Sequence, residues 1–119
     1  MTAYDKAHEL AEALAKSEEY RAYVEAKQKL EQDRANSAML DEFRKHQLEL
    51  QIAEITGQEI DEEKAQQLDH LYQILSLNPT INEFLSAEYR LARLLADIQK
   101  IIGEAVKAWF PANQDRTMN

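Results

Sequence analysis

At 119 residues and 13.8 kDa, with 45% apolar and 30% charged residues, the chain suffices for one domain with a modest core and is too short for a second. Two glycines, two prolines and no cysteine exclude a disulfide framework, an all-cysteine zinc site and an iron–sulfur cluster on its own thiolates, and leave few turn formers for a β-rich fold. The formal net charge of −8, from 14 Lys+Arg against 22 Asp+Glu, opposes contact with nucleic acid or anionic lipid, and none of the segments between the predicted helix breaks carries a basic excess.

Alanine (17), glutamate (15), leucine (14) and glutamine (10) dominate the composition, and all four favour helix. Thr2 with Asp5 resembles a capping box, and Tyr4, Ala7, Ala11 and Leu14 recur at helical spacing, which predicts a short first helix over about Ala3–Ala15. Its interleaved acids are unlike a secretory signal, and charges interrupt every apolar run before membrane-spanning length, so a cytoplasmic protein is expected. Ser17 is a natural N-cap for a second helix, with Glu18 and Glu19 complementing the dipole and Tyr20, Val24 and Leu30 as its stripe to about Gln32. Asp33, or Asn36–Ser37, restarts the chain into a third helix that should stop at Gly57, where a left-handed residue is easiest to accommodate. Asp61 caps a fourth helix whose buried face is expected from Ala65, Leu68, Leu71, Tyr72 and Leu75. Asn78–Pro79 opens a fifth helix, because proline at the first helical position loses no hydrogen bond, and this helix is expected to run until just before Pro111. Residues 1–110 are thus read as one domain, and residues 111–119, without periodicity, as a disordered tail.

The fifth helix has a main stripe of Phe84, Leu91, Leu95, Ile98, Ile102 and Trp109, widened by Leu94 and Ile101 on one side and by Leu85, Ala92, Ala96, Gly103 and Val106 on the other. So broad an apolar surface needs more than one neighbour. The small residues either face the third or fourth helix of the same subunit or meet the symmetry mate of this helix in a homodimer. The self-association candidates are Leu85, Ala92, Leu95, Ala96, Ile102, Gly103 and Trp109. The fold expected overall is an all-α, antiparallel bundle of about five helices that dimerises. Gln47, Gln51 and Glu88 interrupt apolar arcs: they either sit at a wet bundle edge or form a polar element that sets register or recognises a protein partner.

Catalytic chemistry has no foothold. There is no cysteine nucleophile, no glycine-rich phosphate loop, and no serine in a strand–turn–helix context. Asp5, His8 and Glu12 share a helical face, and Glu42, His46 and Glu49 form a similar group, but helical-bundle metal sites commonly carry a Glu-x-x-His motif, which is absent. No cofactor or metal is expected, and the reading is of a non-enzymatic protein; a small-ligand or metal-binding bundle on these acidic–histidine clusters is the alternative.

Several patterns coincide in order: Ser17-Glu-Glu-Tyr20 with Ala26 and Leu30, Phe43-x-x-x-Gln47-x-x-Leu50-Gln51, Asn78-Pro79, and Ala87-Glu88-x-Arg90-Leu91 before Ile101-Ile102. Over roughly residues 4–107 they resemble the YlbF/YmcA family of small helical proteins from Gram-positive bacteria, in length most like its shorter YheA branch. The resemblance implies an all-α fold, self-association and a cytoplasmic regulatory role through protein contacts. In the better-known branches it implies a complex with YaaT that affects competence, sporulation and biofilm development and assists RNase Y. The cysteine-bound iron–sulfur clusters associated with that complex do not carry over to a chain without cysteine.

Overall fold

The computed structural model describes residues 1–109, which form five α-helices and a closing 3₁₀ turn, with no strand among the described residues. The helices are α1 (Ala3–Ala15), α2 (Glu18–Gln32), α3 (Arg34–Thr56), α4 (Glu62–Ser76) and α5 (Pro79–Ala105), and the turn is Lys107–Trp109.

Capping chemistry sets nearly every boundary. The Thr2 hydroxyl accepts from the Asp5 N–H at 3.3 Å while the Thr2 N–H donates to the Asp5 carboxylate at 3.2 Å, closing the capping box. Ser17 caps α2 by accepting from the Tyr20 N–H at 3.1 Å, and its hydroxyl donates back to the Leu14 carbonyl at 2.7 Å, so one side chain fixes the α1–α2 corner. Asp33 alone, extended at φ −109° and ψ 102°, separates α2 from α3, and its carboxylate accepts from the N–H groups of Ala35 and Asn36. Gly57 ends α3 at φ 73°, which brings the Gln58 N–H to the Ala53 carbonyl at 2.9 Å. Asp61 and Asn78 cap α4 and α5, and Pro79 takes the first helical position of α5.

Paired residues give the helix directions. Glu18 and Glu19 line one cleft with Arg90, Arg93 and Asp97, Tyr23 meets Phe84 at 5.6 Å between ring centroids, and Lys29 lies 3.5 Å from Glu83, so α2 and α5 are antiparallel. Asn36 bonds Asn78 and Arg44 bonds Glu88, so α3 and α5 run the same way. The four helices α2–α5 thus alternate in direction, as short connections require.

Their shared core is small: Ala26, Leu30, Leu40, Phe43, Leu75, Ile81, Phe84 and Ala87, with Ala22, Tyr23, Met39, Leu68, Leu71 and Leu85 packed against it. Leu75 and Ile81, on either side of the α4–α5 turn, are fully buried. The molecule is a plate of 54 × 38 × 16 Å, about two helix layers thick. Its radius of gyration of 18.6 Å far exceeds the about 13 Å of a compact chain this long.

Some expectations need correction. The fifth helix ends at Ala105 instead of continuing towards Pro111; Val106 leaves helical geometry at φ −122° and ψ 44°, and Lys107–Trp109 tighten into a 3₁₀ turn. Gly103 weakens the last helical turn and no tertiary partner compensates there. On α2 the expected stripe holds at Leu30, which is buried with Ala26, and in part at half-buried Val24, but Tyr20 is exposed and Tyr23 takes its place by packing on Phe84. Tyr72 lies at the edge of the α4 face: it is half exposed, yet its ring meets Phe43 at 5.7 Å. The first helix forms with its expected bounds but buries none of its stripe. The expected tail, residues 111–119, lies outside the described residues.

Candidate interaction surface

Two surfaces stand out. In the first, Arg44, Gln47, Leu48 and Gln51 follow one another at helical spacing along α3, and Leu85, Glu88, Tyr89 and Ala92 do the same along α5. Between these rows lies an open groove of about 630 Å³, bordered also by Phe43 and Tyr72. The structure therefore brings Gln47, Gln51 and Glu88 to one place. Gln47 and Gln51 are exposed and Glu88 is half-buried, so the polar breaks in the apolar arcs face a groove open to water and need no buried partners. Arg44 pairs with Glu88 and places its guanidinium 5.5 Å from the centroid of the Phe84 ring. Arg44 interrupts no apolar arc, and its only signal in the sequence is position, one turn before Gln47 and Leu48 on the same face.

The second surface is the distal half of α5. Only Ile81, Phe84 and Ala87 of this helix are buried, all in its first three turns. Beyond them Leu95, Ile101, Ile102, Val106 and Trp109 are exposed, Trp109 by 78%. Apart from its own helix, no heavy atom comes within 4 Å of where a Cβ would stand on Gly103. Ala92 and Ala96 are exposed as well, Ala92 on the α5 wall of the groove towards α3. Of the self-association candidates, Leu85 alone packs against the core, while Ala92, Leu95, Ala96, Ile102 and Trp109 are exposed and Gly103 is intermediate.

The histidine clusters come together only loosely. His46 lies 3.8 Å from Glu42 and 3.6 Å from Glu49, along its own helix, at the edge of a cleft between α3 and α4 that Asp61 and Lys64 also line. Among the described residues no three His, Asp or Glu side chains gather closely enough to hold a metal ion, and no helix is long and apolar enough to cross a membrane.

Comparison with known proteins places this architecture. Residues 3–107 match the family described as control of competence regulator ComK, YlbF/YmcA. A UPF0342 protein of Caldicellulosiruptor saccharolyticus is 50% identical over 103 residues, 87% of this chain and 86% of its own. One from Halothermothrix orenii is 37% identical over 117 residues, 98% of this chain and 99% of its own. Among solved structures, a protein of unknown function (DUF964) from Bacillus stearothermophilus superposes with a TM-score of 0.75 at 19% identity, over 87% of this chain and 91% of that one. Bacillus subtilis RicA, solved in complex with RicF, superposes with a TM-score of 0.62 at 23% identity, over 88% and 93%. These two likenesses show the fold, and the UPF0342 relatives agree with the shorter, YheA-like branch. With its helices, their order and 105 matched residues in accord, the chain belongs to the YlbF/YmcA family.

Proposed function

We propose that this protein is a non-enzymatic cytoplasmic adaptor: it self-associates through the distal half of α5 and binds another protein through the groove between α3 and α5. The observation that carries the reading is the division of α5, which supplies three core residues from its first turns and then presents Leu95, Ile101 and Ile102 to solvent, with Val106 and Trp109 exposed just past its end. A two-layer plate with so small a core gains by covering such a surface, because each apolar side chain removed from water contributes about 1.5–3 kcal/mol when fully buried. The groove supplies specificity by different means. Gln47, Gln51 and the Arg44–Glu88 pair offer directional donors and acceptors beside Leu48 and Tyr89, the mixture of polar and aromatic groups typical of protein recognition.

The family description points to control of competence, the complex of RicA with RicF supports a role in binding another protein, and the family resemblance extends the proposed role to bacterial developmental regulation or RNA processing. Direct RNA contact is opposed by the net charge of −8. The test combines sedimentation of the full chain with affinity capture from the native host, comparing wild type with Gln51→Lys. A dimer at micromolar concentration, and a captured protein lost with Gln51→Lys, is the expected result. A monomer, or capture indifferent to the groove substitution, overturns the corresponding half of the reading.

A further inference from the structure

We infer that the partner of the distal half of α5 is helix α1 of a second copy, the two protomers exchanging their first helices reciprocally. The inference rests on the self-association proposed above and specifies its contact. Helix α1 is capped at its start and well formed over 13 residues, yet none of them is buried. Tyr4, Ala7, Ala11 and Leu14 are spaced 3, 4 and 3 residues apart. On α5, Leu91, Leu95, Ile98 and Ile102 repeat at 4, 3 and 4. This 3–4 alternation is the seam that two helices use to interlock side chains along their length. Each helix carries half of such a seam: Tyr4, Ala7 and Ala11 on α1 and Leu95 and Ile102 on α5 are exposed, while Leu14, Leu91 and Ile98 are half-buried beside α2.

Length, charge and shape agree. At 1.5 Å per residue α1 spans about 20 Å, and the stretch from Leu91 to Ala105 spans about 22 Å. Over residues 1–16 the acids Asp5, Glu9 and Glu12 outnumber Lys6 and Lys16, which pair with Glu9 and Glu12 at the surface, whereas on residues 90–109 the bases Arg90, Arg93, Lys100 and Lys107 outnumber Asp97 and Glu104. Neither Lys100 nor Lys107 makes an ion pair among the described residues. Exposed Ala96, and Gly103 with no heavy atom within 4 Å of where its Cβ would stand, flank the α5 seam and let an incoming helix approach closely. The Ser17 corner, held by its bonds to Leu14 and Tyr20, fixes α1 on the start of α2, and no residue of α1 is buried there. A two-fold axis then makes both contacts at once.

The experiment uses two full-length variants, Ala11→Glu on α1 and Ile102→Glu on α5, both at exposed positions and therefore compatible with folding, which circular dichroism verifies. In sedimentation velocity each variant alone should dissociate at least about tenfold more readily than wild type, since a charge is forced into both contacts of the dimer. Mixed in equal amounts, the two should recover dimer, because a mixed pair keeps one unaltered contact: α1 of the Ile102→Glu chain on α5 of the Ala11→Glu chain. Dissociation by Ile102→Glu alone, without rescue on mixing, overturns the exchange and points to α5 meeting α5. A wild-type dimer indifferent to both substitutions overturns it in favour of another face. A monomeric wild type overturns the underlying self-association itself.

Discussion

Arg44 on α3 is bound to Glu88 on α5 across 44 residues of sequence, and it reaches Glu88 by lying over Phe84, one turn earlier on the same helix. A single side chain thus couples a core aromatic to the one acid in the groove wall. The pair lies where α3 and α5 begin to diverge: on one side of it the helices share the core, on the other they border open groove. An ion pair in that position sets the relative register of the two walls, a role for which directional contacts suit better than apolar ones.

The pair should contribute modestly to stability, because both side chains keep more than a third of their surface in water. Glu88→Gln is expected to cost less than about 1 kcal/mol, and Arg44→Ala about 1–2 kcal/mol, since it also loses packing on Phe84. Urea unfolding of both single variants and the double variant measures the coupling. Equal losses for Glu88→Gln and Arg44→Ala would mean that the contact with Phe84 contributes nothing.

Core truncation should be far more damaging. Leu75 and Ile81 are both at 0% exposure on the two sides of the α4–α5 turn. Leu75→Ala or Ile81→Ala should cost about 2–5 kcal/mol, a large part of the about 5–15 kcal/mol that holds a typical domain together. Thermal melts should show a lowered and broadened transition, whereas Ile55→Ala, at 85% exposure, should leave the protomer's stability unchanged.

Asn78 has two tasks that a substitution series can separate. Its Oδ1 accepts from the N–H groups of Thr80 and Ile81 at 3.0 and 3.2 Å, while its Nδ2 donates to Asn36 Oδ1 at 2.8 Å. Asn78→Ser retains a capping oxygen and loses only the link to α3; Asn78→Ala loses both. Expected costs are about 0.5–1 kcal/mol for serine and about 1–2 kcal/mol for alanine, and identical denaturation midpoints for the two would rule out a contribution from the cap.

Gly103 distinguishes protomer from assembly. With open space around it and ordinary helical backbone, Gly103→Ala should raise the protomer's stability by up to about 1 kcal/mol. If a second helix approaches there, the added methyl group should also weaken self-association. A variant with a higher unfolding temperature at low protein concentration and a weaker dimer in sedimentation is the expected pair of results; tighter association would place the contact elsewhere on α5.

The sequence by itself determined the elements and their ends, except the end of α5, which falls at Ala105 and not just before Pro111. Thr2, Ser17, Asp33, Gly57, Asp61 and Asn78–Pro79 act on backbone groups within a few residues, so their effect needs no tertiary context, and helix starts and stops followed from them. The core residues Phe43, Leu75 and Phe84 and the family resemblance were likewise legible, since both rest on residue identity and spacing along one chain. What only the tertiary structure decided is which apolar stripes find partners inside the protomer. The heptad-like patterns on α1 and distal α5 look like core in sequence, yet none of their residues is buried in the fold and most are exposed. Periodicity records that a face avoids water; it does not record whose surface covers it. The same reason hid Arg44, whose partner lies 44 residues away, and it turned Gln47, Gln51 and Glu88 from interruptions in three separate turns of helix into the lining of one groove. The 45% apolar content read at the outset as material for a core is in this molecule divided between a small core and a long uncovered edge.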